Sequence, residues 1–461
     1  MLSAQDNDVL CRVGPDTPMG KLMREYWIPA LMPNEVVADG PPMRLRLLGE
    51  NLIAFRTTSG EVGIVANACP HRGASLFFGR NEEDGLRCVY HGWKFDVSGA
   101  CVDMPSEPAE SNFKNKVRVR AYPTVERNGA VWIYMGARAT PPPLPELLPN
   151  LDPNCRTGRR LLQCNYMQGL EGDIDTVHKG FLHAGHARLE DLMPGSSEYY
   201  ATKELSVLTA SRDHEVGATY GAYRGAEEDT EYWRTGHFLM PFYTMNAPGI
   251  LGRKMAASAW VPADDENTWI FNMGLPQPSD PELEGIGGLK NGWYRTDPLG
   301  RFDPYGAPVR YNPQAANRRQ FQPETSDWLG KFRALANRDN DYLIDRELQA
   351  RDGEWTYTGI PAPAQDPMAQ ESMGGIYDRT EEHLATTDAM IIRTRRKLIN
   401  AARALEATGQ VPPGVDKPQL YRMRSGGALL PAGANGLEVL ADVHFCRTEV
   451  VEVVPPIEAG R

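Results

Sequence analysis

Two short segments of this chain each pair a cysteine with a histidine. They are Cys69-Pro-His71 and Cys88-Val-Tyr-His91, the second followed at once by Gly92-Trp93. Two thiolates and two imidazoles can hold a [2Fe–2S] cluster in which histidines replace cysteines on one iron, raising the potential above that of an all-cysteine cluster. Zinc is the competing ion, because a Cys2His2 set also suits tetrahedral Zn2+. Zinc fingers carry both cysteines in one half and both histidines in the other. Here each segment has one of each, the alternation expected when each loop gives a ligand to each of two irons.

A second set lies in residues 165–186, NYMQGLEGDIDTVHKGFLHAGH, which holds Glu171, Asp175, His178, His183 and His186. Glu171, Asp175 and His178 are spaced i, i+4, i+7, so a helix would put them on one face. His183 follows His178 by five residues, about 140° round an ideal helix. Gly180 lies between them and would let the helix loosen so that both imidazoles converge. Two histidines and a distant carboxylate make the facial triad that holds Fe(II) with positions left open. On base rates for charged faces, such a helix is more often solvated or capped than metal-binding; its company with a cluster motif argues the other way.

The elements that must position these residues are readable in outline. Residues 27–137 read as all-β. LRLLGENLIAFR is a hairpin around Gly49-Glu50-Asn51, EVGIVANACPHR runs into the first Cys-His loop, and WKFDVSGACV turns at Ser98-Gly99. ATPPPLPELLP, with five prolines in eleven residues, ends the region and marks a domain boundary. A helix is expected near 168–181, then strands in EVGATYGAYRG, EYWRTGHFLMPFYTMNAPG and KMAASAWVP-ADDEN-TWIFNMGLP. Residues 279–325 read as an irregular excursion. A helix with a stop at Gly409 is expected over Thr380–Gly409, from Leu384, Ile391, Leu398, Ala402 and Leu405.

The chain has 461 residues, enough for two or three domains, and a net charge of 49 − 60 = −11. An acidic surface without a basic run argues against nucleic acid and anionic membranes. No apolar run reaches the ~18 residues of a membrane span, and the N-terminus lacks a signal-peptide pattern, so the expected location is cytoplasmic. The seven cysteines are too few and odd in number for a disulfide framework.

CPHRGASL and CVYHGWKFD resemble the Rieske domain of the Rieske non-heme iron oxygenases, with Arg72, Gly73 and Trp93 also matching. The run E-x3-D-x2-H-x4-H resembles the mononuclear iron motif of the same family at Asp175, His178 and His183; His186 falls outside it. PAPAQDPMAQESMGGIYDRTEEHLATTDAMI (361–391) resembles the phthalate dioxygenase branch, which maps the third iron ligand onto Asp366, with Asp378 and Asp388 as rivals. The resemblance implies an α+β fold: an N-terminal segment (1–26) packing on the catalytic domain, an all-β Rieske domain (27–138), and a helix-grip-like catalytic domain (139–461) with an antiparallel sheet flanked by helices. It implies two cofactors, the [2Fe–2S] cluster on Cys69, His71, Cys88 and His91 and Fe(II) on His178, His183 and Asp366.

It further implies that Asp175 bridges His91 of one subunit and His178 of its neighbour, which requires a homotrimer or stacked trimers. The chain has no G-x-G-x-x-G fingerprint, so NADH would be used by a separate reductase. The implied reaction is oxidation of an aromatic carboxylic acid with O2, by ring dihydroxylation or hydroxylation. The alternatives are O-demethylation of a methoxylated or phenoxy acid, or a Rieske electron-transfer protein with no oxygenation site. An acid substrate needs a cationic anchor; Arg212, Arg224, Arg234 and Arg253 are the candidates. Tyr220, Tyr223, Trp233, Phe238 and Phe242 are equally readable as core or as pocket lining.

Overall fold

The computed structural model describes residues 2–108, 110–183, 189, 195, 197–247, 249–252, 255–275, 320–351 and 358–447. The expected excursion at 279–325 therefore lies mostly outside the described residues, as do His186 and Arg253.

Before the proline-rich segment the chain forms β1 (Trp27–Leu31), β2 (Met43–Leu47), β3 (Glu50–Arg56), β4 (Val62–Ala66), β5 (Arg80–Glu82), β6 (Gly85–Arg87), β7 (Lys94–Phe95), β8 (Cys101–Asp103), β9 (Ala121–Tyr122), β10 (Thr124–Arg127) and β11 (Ala130–Tyr134). They pair as three sheets, β2-β3-β4-β9, β5-β6-β7-β8 and β1-β11-β10. The first hairpin turns at Leu48-Gly49 rather than one residue later. Both have positive φ, 44° and 79°, as a two-residue turn matching the right-handed strand twist requires.

The second part is built on one eight-stranded antiparallel sheet: β12 (Arg156–Leu162), β13 (Leu208–His214), β14 (Gly217–Gly225), β15 (Thr230–Leu239), β16 (Tyr243–Met245), β17 (Ala256–Asp264), β18 (Asn267–Gly274) and β19 (Gly426–Pro431). The order is β12-β18-β17-β16-β15-β14-β13, with β19 also on β15. Directly opposed residues share a face. Tyr220 opposes Gly236, Ala222 opposes Arg234, and Arg160 and Trp260 both oppose Ile270. This face takes the helix Tyr166–Ile174: the Trp260 ring fills the space where a Cβ on Gly169 would stand, 2.4 Å away, and Tyr220 Oη donates to the Asp173 carbonyl. The other face meets the N-terminal sheets, where Tyr243 Oη donates to Trp27 O and the Trp269 indole N–H to Arg46 O. One buried core runs through both parts, from Trp132 and Tyr134 through Trp269 and Tyr243 to Leu398 and Ala402 on the long helix Ala389–Thr408.

Residues 2–26 lie on the second part of the molecule. Asn165 Nδ2 donates to Cys11 O and Tyr166 Oη to Leu10 O, and across the same contact Arg403 pairs with Asp6 and Lys21 with Glu406. The long helix begins at Ala389, nine residues after the expected start. Asp378 Oδ1 instead accepts from Thr380 N and Oγ1, a local turn that competes with helix. Gly409 ends it at φ 69°, the left-handed cap that favours glycine.

Three histidines meet on the face away from the helix Tyr166–Ile174. His237 on β15 has its ring centroid 6.1 Å from His214 and 5.3 Å from His444. His237 Nε2 donates to Arg424 O, and the His444 ring bonds Thr235 Oγ1. Burial pushes His214 down to about 3 and His237 down to about 4, and holds His444 well below the usual imidazole range. The unfolded chain therefore binds protons that the native state refuses. Stability from these groups is full above about pH 6.5 and is lost as pH falls toward 4, on the order of 3 kcal/mol for His237 alone. Thermal melts at pH 7 and pH 5 should show a large drop in the wild type and a smaller one in His214→Phe, whose ring fits against Phe445. Equal drops would contradict this.

Candidate functional site

The two Cys-His loops have the same backbone design. In the first, Cys69 N–H donates to Ala74 O and Gly73 N–H to Cys69 O; in the second, Cys88 N–H donates to Trp93 O and Gly92 N–H to Cys88 O. Each loop thus closes on the residues four and five after its cysteine, and each closing glycine has φ near +80° (78° and 79°), a conformation that disfavours other residues. The thiols of Cys69 and Cys88 are buried among Leu76, Leu86, Trp93 and Phe95. His71 is exposed and His91 half-exposed, their ring centroids 4.4 Å apart. Trp93 stacks on His71 at 4.3 Å, its N–H held by Ser106 Oγ.

Burial, with Cys88 alongside, pushes the Cys69 thiol up to about 11, so a thiolate pair here calls for metal charge. Among the described residues, no three of these four donors lie within 4.8 Å of one another. A single tetrahedral zinc needs its donors about 3.3–3.8 Å apart. The spread fits a two-iron body with buried sulfurs and outward histidines.

The second set is assembled differently from the helical face read in the sequence. The helix Tyr166–Ile174 stops before Asp175, whose φ/ψ of −75°/113° is extended and whose Oδ1 accepts from Val177 N–H. Glu171 points away, to Arg379 and Arg395. His183 ends a π-helical turn, Lys179–His183, in which a five-residue separation brings side chains to one side. His178 Nε2 then lies 3.2 Å from His183 Nε2. Asp366 Oδ1, from the helix Ala362–Glu371, is 3.5 Å from the first and 3.2 Å from the second.

These spacings match the edges of a metal coordination face, where ligands about 2.1 Å from an ion stand about 3.0–3.4 Å apart. His178 Nδ1 faces Asp175 Oδ2 at 3.3 Å, and His183 Nδ1 faces Gln365 Oε1 at 2.8 Å. With both Nδ1 atoms protonated toward oxygens, both Nε2 lone pairs and a carboxylate oxygen point at one spot. That arrangement repels itself unless a cation sits there. Burial alone would raise the Asp366 carboxyl; His183, His178 and Arg160 overcome it and hold the group well below the usual carboxylate range. Burial would likewise lower His178, but its hydrogen bond to Asp175 and the charge of Asp366 raise it.

Two devices hold the helices in place. Gly172 permits a close approach, since a Cβ there would stand 2.4 Å from Gln370 Nε2 on the Asp366 helix. Gln168 crosses the same gap, donating to Gln370 O and Gly374 O and accepting from Tyr377 N–H. Asp378 and Asp388 are engaged in local turns and stand apart from the three converging donors.

Of the four arginines singled out in the sequence, Arg212 is exposed on β13. Arg224 is buried but engaged with Ala201 O and Glu204 O. Arg234 lies on the sheet face that packs against the helix Tyr166–Ile174, and its charge acts on both His178 and Tyr220. Phe238 and Phe242 are core. Tyr223 and Trp233 stack at 4.1 Å and lie in a separate apolar cluster. Tyr220 is the one of these beside the helix Tyr166–Ile174, its Oη on the Asp173 carbonyl. Sequence reading missed Arg160, whose strand phase becomes informative only once the sheet face is known, and Gln365, which carries no motif of its own.

A family model described as the Rieske [2Fe-2S] domain matches residues 26–123, and one described as LigXa C-terminal domain like matches residues 309–431. The chain is 43% identical over 437 residues to the 3-chlorobenzoate-3,4-dioxygenase oxygenase subunit of Comamonas testosteroni, covering 94% of this chain and 96% of that one. It is 34% identical over 421 residues to the phthalate 4,5-dioxygenase oxygenase subunit of Pseudomonas putida, 88% of each chain. Among solved structures, the QL mutant of NdmA from Pseudomonas putida CBB5 with theobromine matches with a TM-score of 0.53 at 17% identity, covering 85% of this chain and 95% of that one, a likeness of fold. No helix among the described residues is long and apolar enough to cross a membrane. Similarity of this extent to such relatives, together with the Rieske domain, makes the chain a member of the Rieske oxygenases, an oxygenase (alpha) subunit.

Proposed function

We propose that this subunit dihydroxylates the ring of a benzoate-type aromatic acid, with O2 as co-substrate and electrons from a separate NADH-dependent reductase. The observation that carries this reading is the three-donor pocket of His178, His183 and Asp366, with Arg234 near enough for its charge to act on His178. In this reading Cys69 and Cys88 hold one iron of the cluster, His71 and His91 the other, and the pocket holds Fe(II). When bound, the cluster supplies electrons singly and the Fe(II) supplies the positions at which O2 is activated.

The remaining work falls to the chain. Asp175 accepts the His178 Nδ1–H and so fixes that ring. The Asp175 side chain keeps 29% exposure, enough for an N–H from His91 of the partner subunit. Exposed apolar residues around the cluster loops, Val89 (59%), Tyr90 (55%) and Phe78 (63%), support a subunit contact there, and a head-to-tail contact whose rotation closes makes a ring, a trimer in this reading. Arg234 binds the substrate carboxylate and aims the ring at the metal; the 3-chlorobenzoate and phthalate in the relatives' names both carry such a group.

Substrate-dependent O2 uptake with a surrogate reductase tests this. Benzoates should be oxidised and the matching benzamides should not. Arg234→Met should raise KM for the acid about 10–100-fold, the loss of one charged hydrogen-bonded contact. Equal uptake with acid and amide would overturn the anchor.

A further inference from the structure

We infer that Gln365 is a positioning residue for the metal centre: its side-chain oxygen selects the His183 tautomer whose Nε2 is free to bind metal. The inference rests on the reading of His178, His183 and Asp366 as a metal site. Gln365 sits beside Asp366 on the same helix turn and is 3% exposed. Its amide can face His183 in only one orientation. Nε2 donates to Ile360 O at 3.1 Å and to Thr358 Oγ1 at 3.3 Å. A carbonyl oxygen such as Ile360 O accepts only. Flipping the amide would set two oxygens against each other at about the hydrogen-bond distance of 2.9–3.2 Å, so Oε1 is the atom that meets His183 Nδ1 at 2.8 Å.

An amide oxygen has no proton to give, so Nδ1 must carry it and Nε2 must present its lone pair toward His178 and Asp366. The two imidazoles are thus held by unlike partners. His178 leans on a carboxylate, Asp175, while His183 leans on a neutral amide. The amide orients His183 without adding a further negative charge beside Asp366. With Gln365 removed, the Nδ1–H loses its partner, and the ring can turn or adopt the tautomer that points N–H at the metal position.

The test is Fe(II) uptake by protein that keeps its cluster after the labile metal has been removed with a chelator, read by equilibrium dialysis. Gln365→Leu should bind Fe(II) about 10–100-fold more weakly than wild type, the usual cost of losing such a partner. Gln365→Glu keeps the acceptor for His183 but loses both amide donors and sets an oxygen against Ile360 O, so it should bind more weakly than wild type yet about threefold or more tightly than Gln365→Leu. A role confined to bracing the 358–360 segment would weaken both variants alike, because both lose the bonds to Ile360 O and Thr358 Oγ1. Cluster absorption and melting temperature report folding, and Gln365→Met, close to the amide in volume, replaces the leucine variant should that one not fold. Leucine binding as tightly as wild type, or glutamate as weakly as leucine, overturns the proposal. Wild type that takes up no Fe(II) beyond its cluster overturns instead the metal site on which it rests.

Discussion

Asp366→Ala is expected to abolish substrate oxidation while leaving the cluster's visible absorption and its reduction by a surrogate reductase unchanged. Asp366 contributes the carboxylate oxygen of the three converging donors. Without it, His178 Nε2 and His183 Nε2 face each other at 3.2 Å with no anionic partner, and two neutral imidazoles hold Fe(II) far more weakly than a facial triad. The cluster loops belong to a different apolar cluster, built on Ile53, Phe55, Leu86 and Phe95, so they should not register the change. Product assays and the reduced-minus-oxidised spectrum on the same sample separate the outcomes. Continued product formation would show that oxidation occurs elsewhere, and a bleached cluster would show that the two sites are structurally coupled.

Arg379→Met should cost about 3–5 kcal/mol of stability, the usual result of breaking a buried ion pair and leaving its partner behind. Arg379 is fully buried and bonds both oxygens of Glu171. It also reaches Asn7 Oδ1 on the N-terminal helix Ala4–Cys11, and its carbonyl accepts from Leu2 N–H. Arg395 holds Glu171 from the other side and pairs with Glu382. The network therefore ties the helix Tyr166–Ile174 to the long helix and the N-terminus. Burial would raise Glu171, but the two guanidiniums hold it below the usual range. A carboxylate with a depressed folded value contributes stability that is present above about 4.5 and is lost as pH falls below it. The variant should melt roughly 3–8 °C lower at pH 7, with a smaller further loss between pH 5 and pH 3 than wild type shows. An unchanged melting point would mean Arg395 alone satisfies Glu171.

How much was legible in the sequence follows from where each feature gets its specificity. The cluster loops are local: cysteine, histidine and turn glycine lie within five residues, so spacing alone displays the design. The convergence of His178 and His183 was also visible as a spacing, but its cause was not. An α-helix through Asp175 was the natural reading, whereas Asp175 caps Val177 N–H and a π-helical turn does the converging. Turn positions shifted by a residue or two for the same reason, as at Leu48-Gly49, because backbone φ rather than polarity decides them. Arg234 is one of four equivalent arginines in the sequence; strand pairing puts it on the face that packs against the helix Tyr166–Ile174. Gln365 could not be found from sequence, because its partner is 182 residues away and its function depends on where Ile360 O points.

Iron and acid-labile sulfide counted per chain in protein isolated without chelator test the central claim most directly. A cluster plus a filled His178–His183–Asp366 site predicts about three irons to two sulfides. Two irons to two sulfides, with no gain on adding Fe(II), would leave an electron carrier without an oxygenation site and contradict the account.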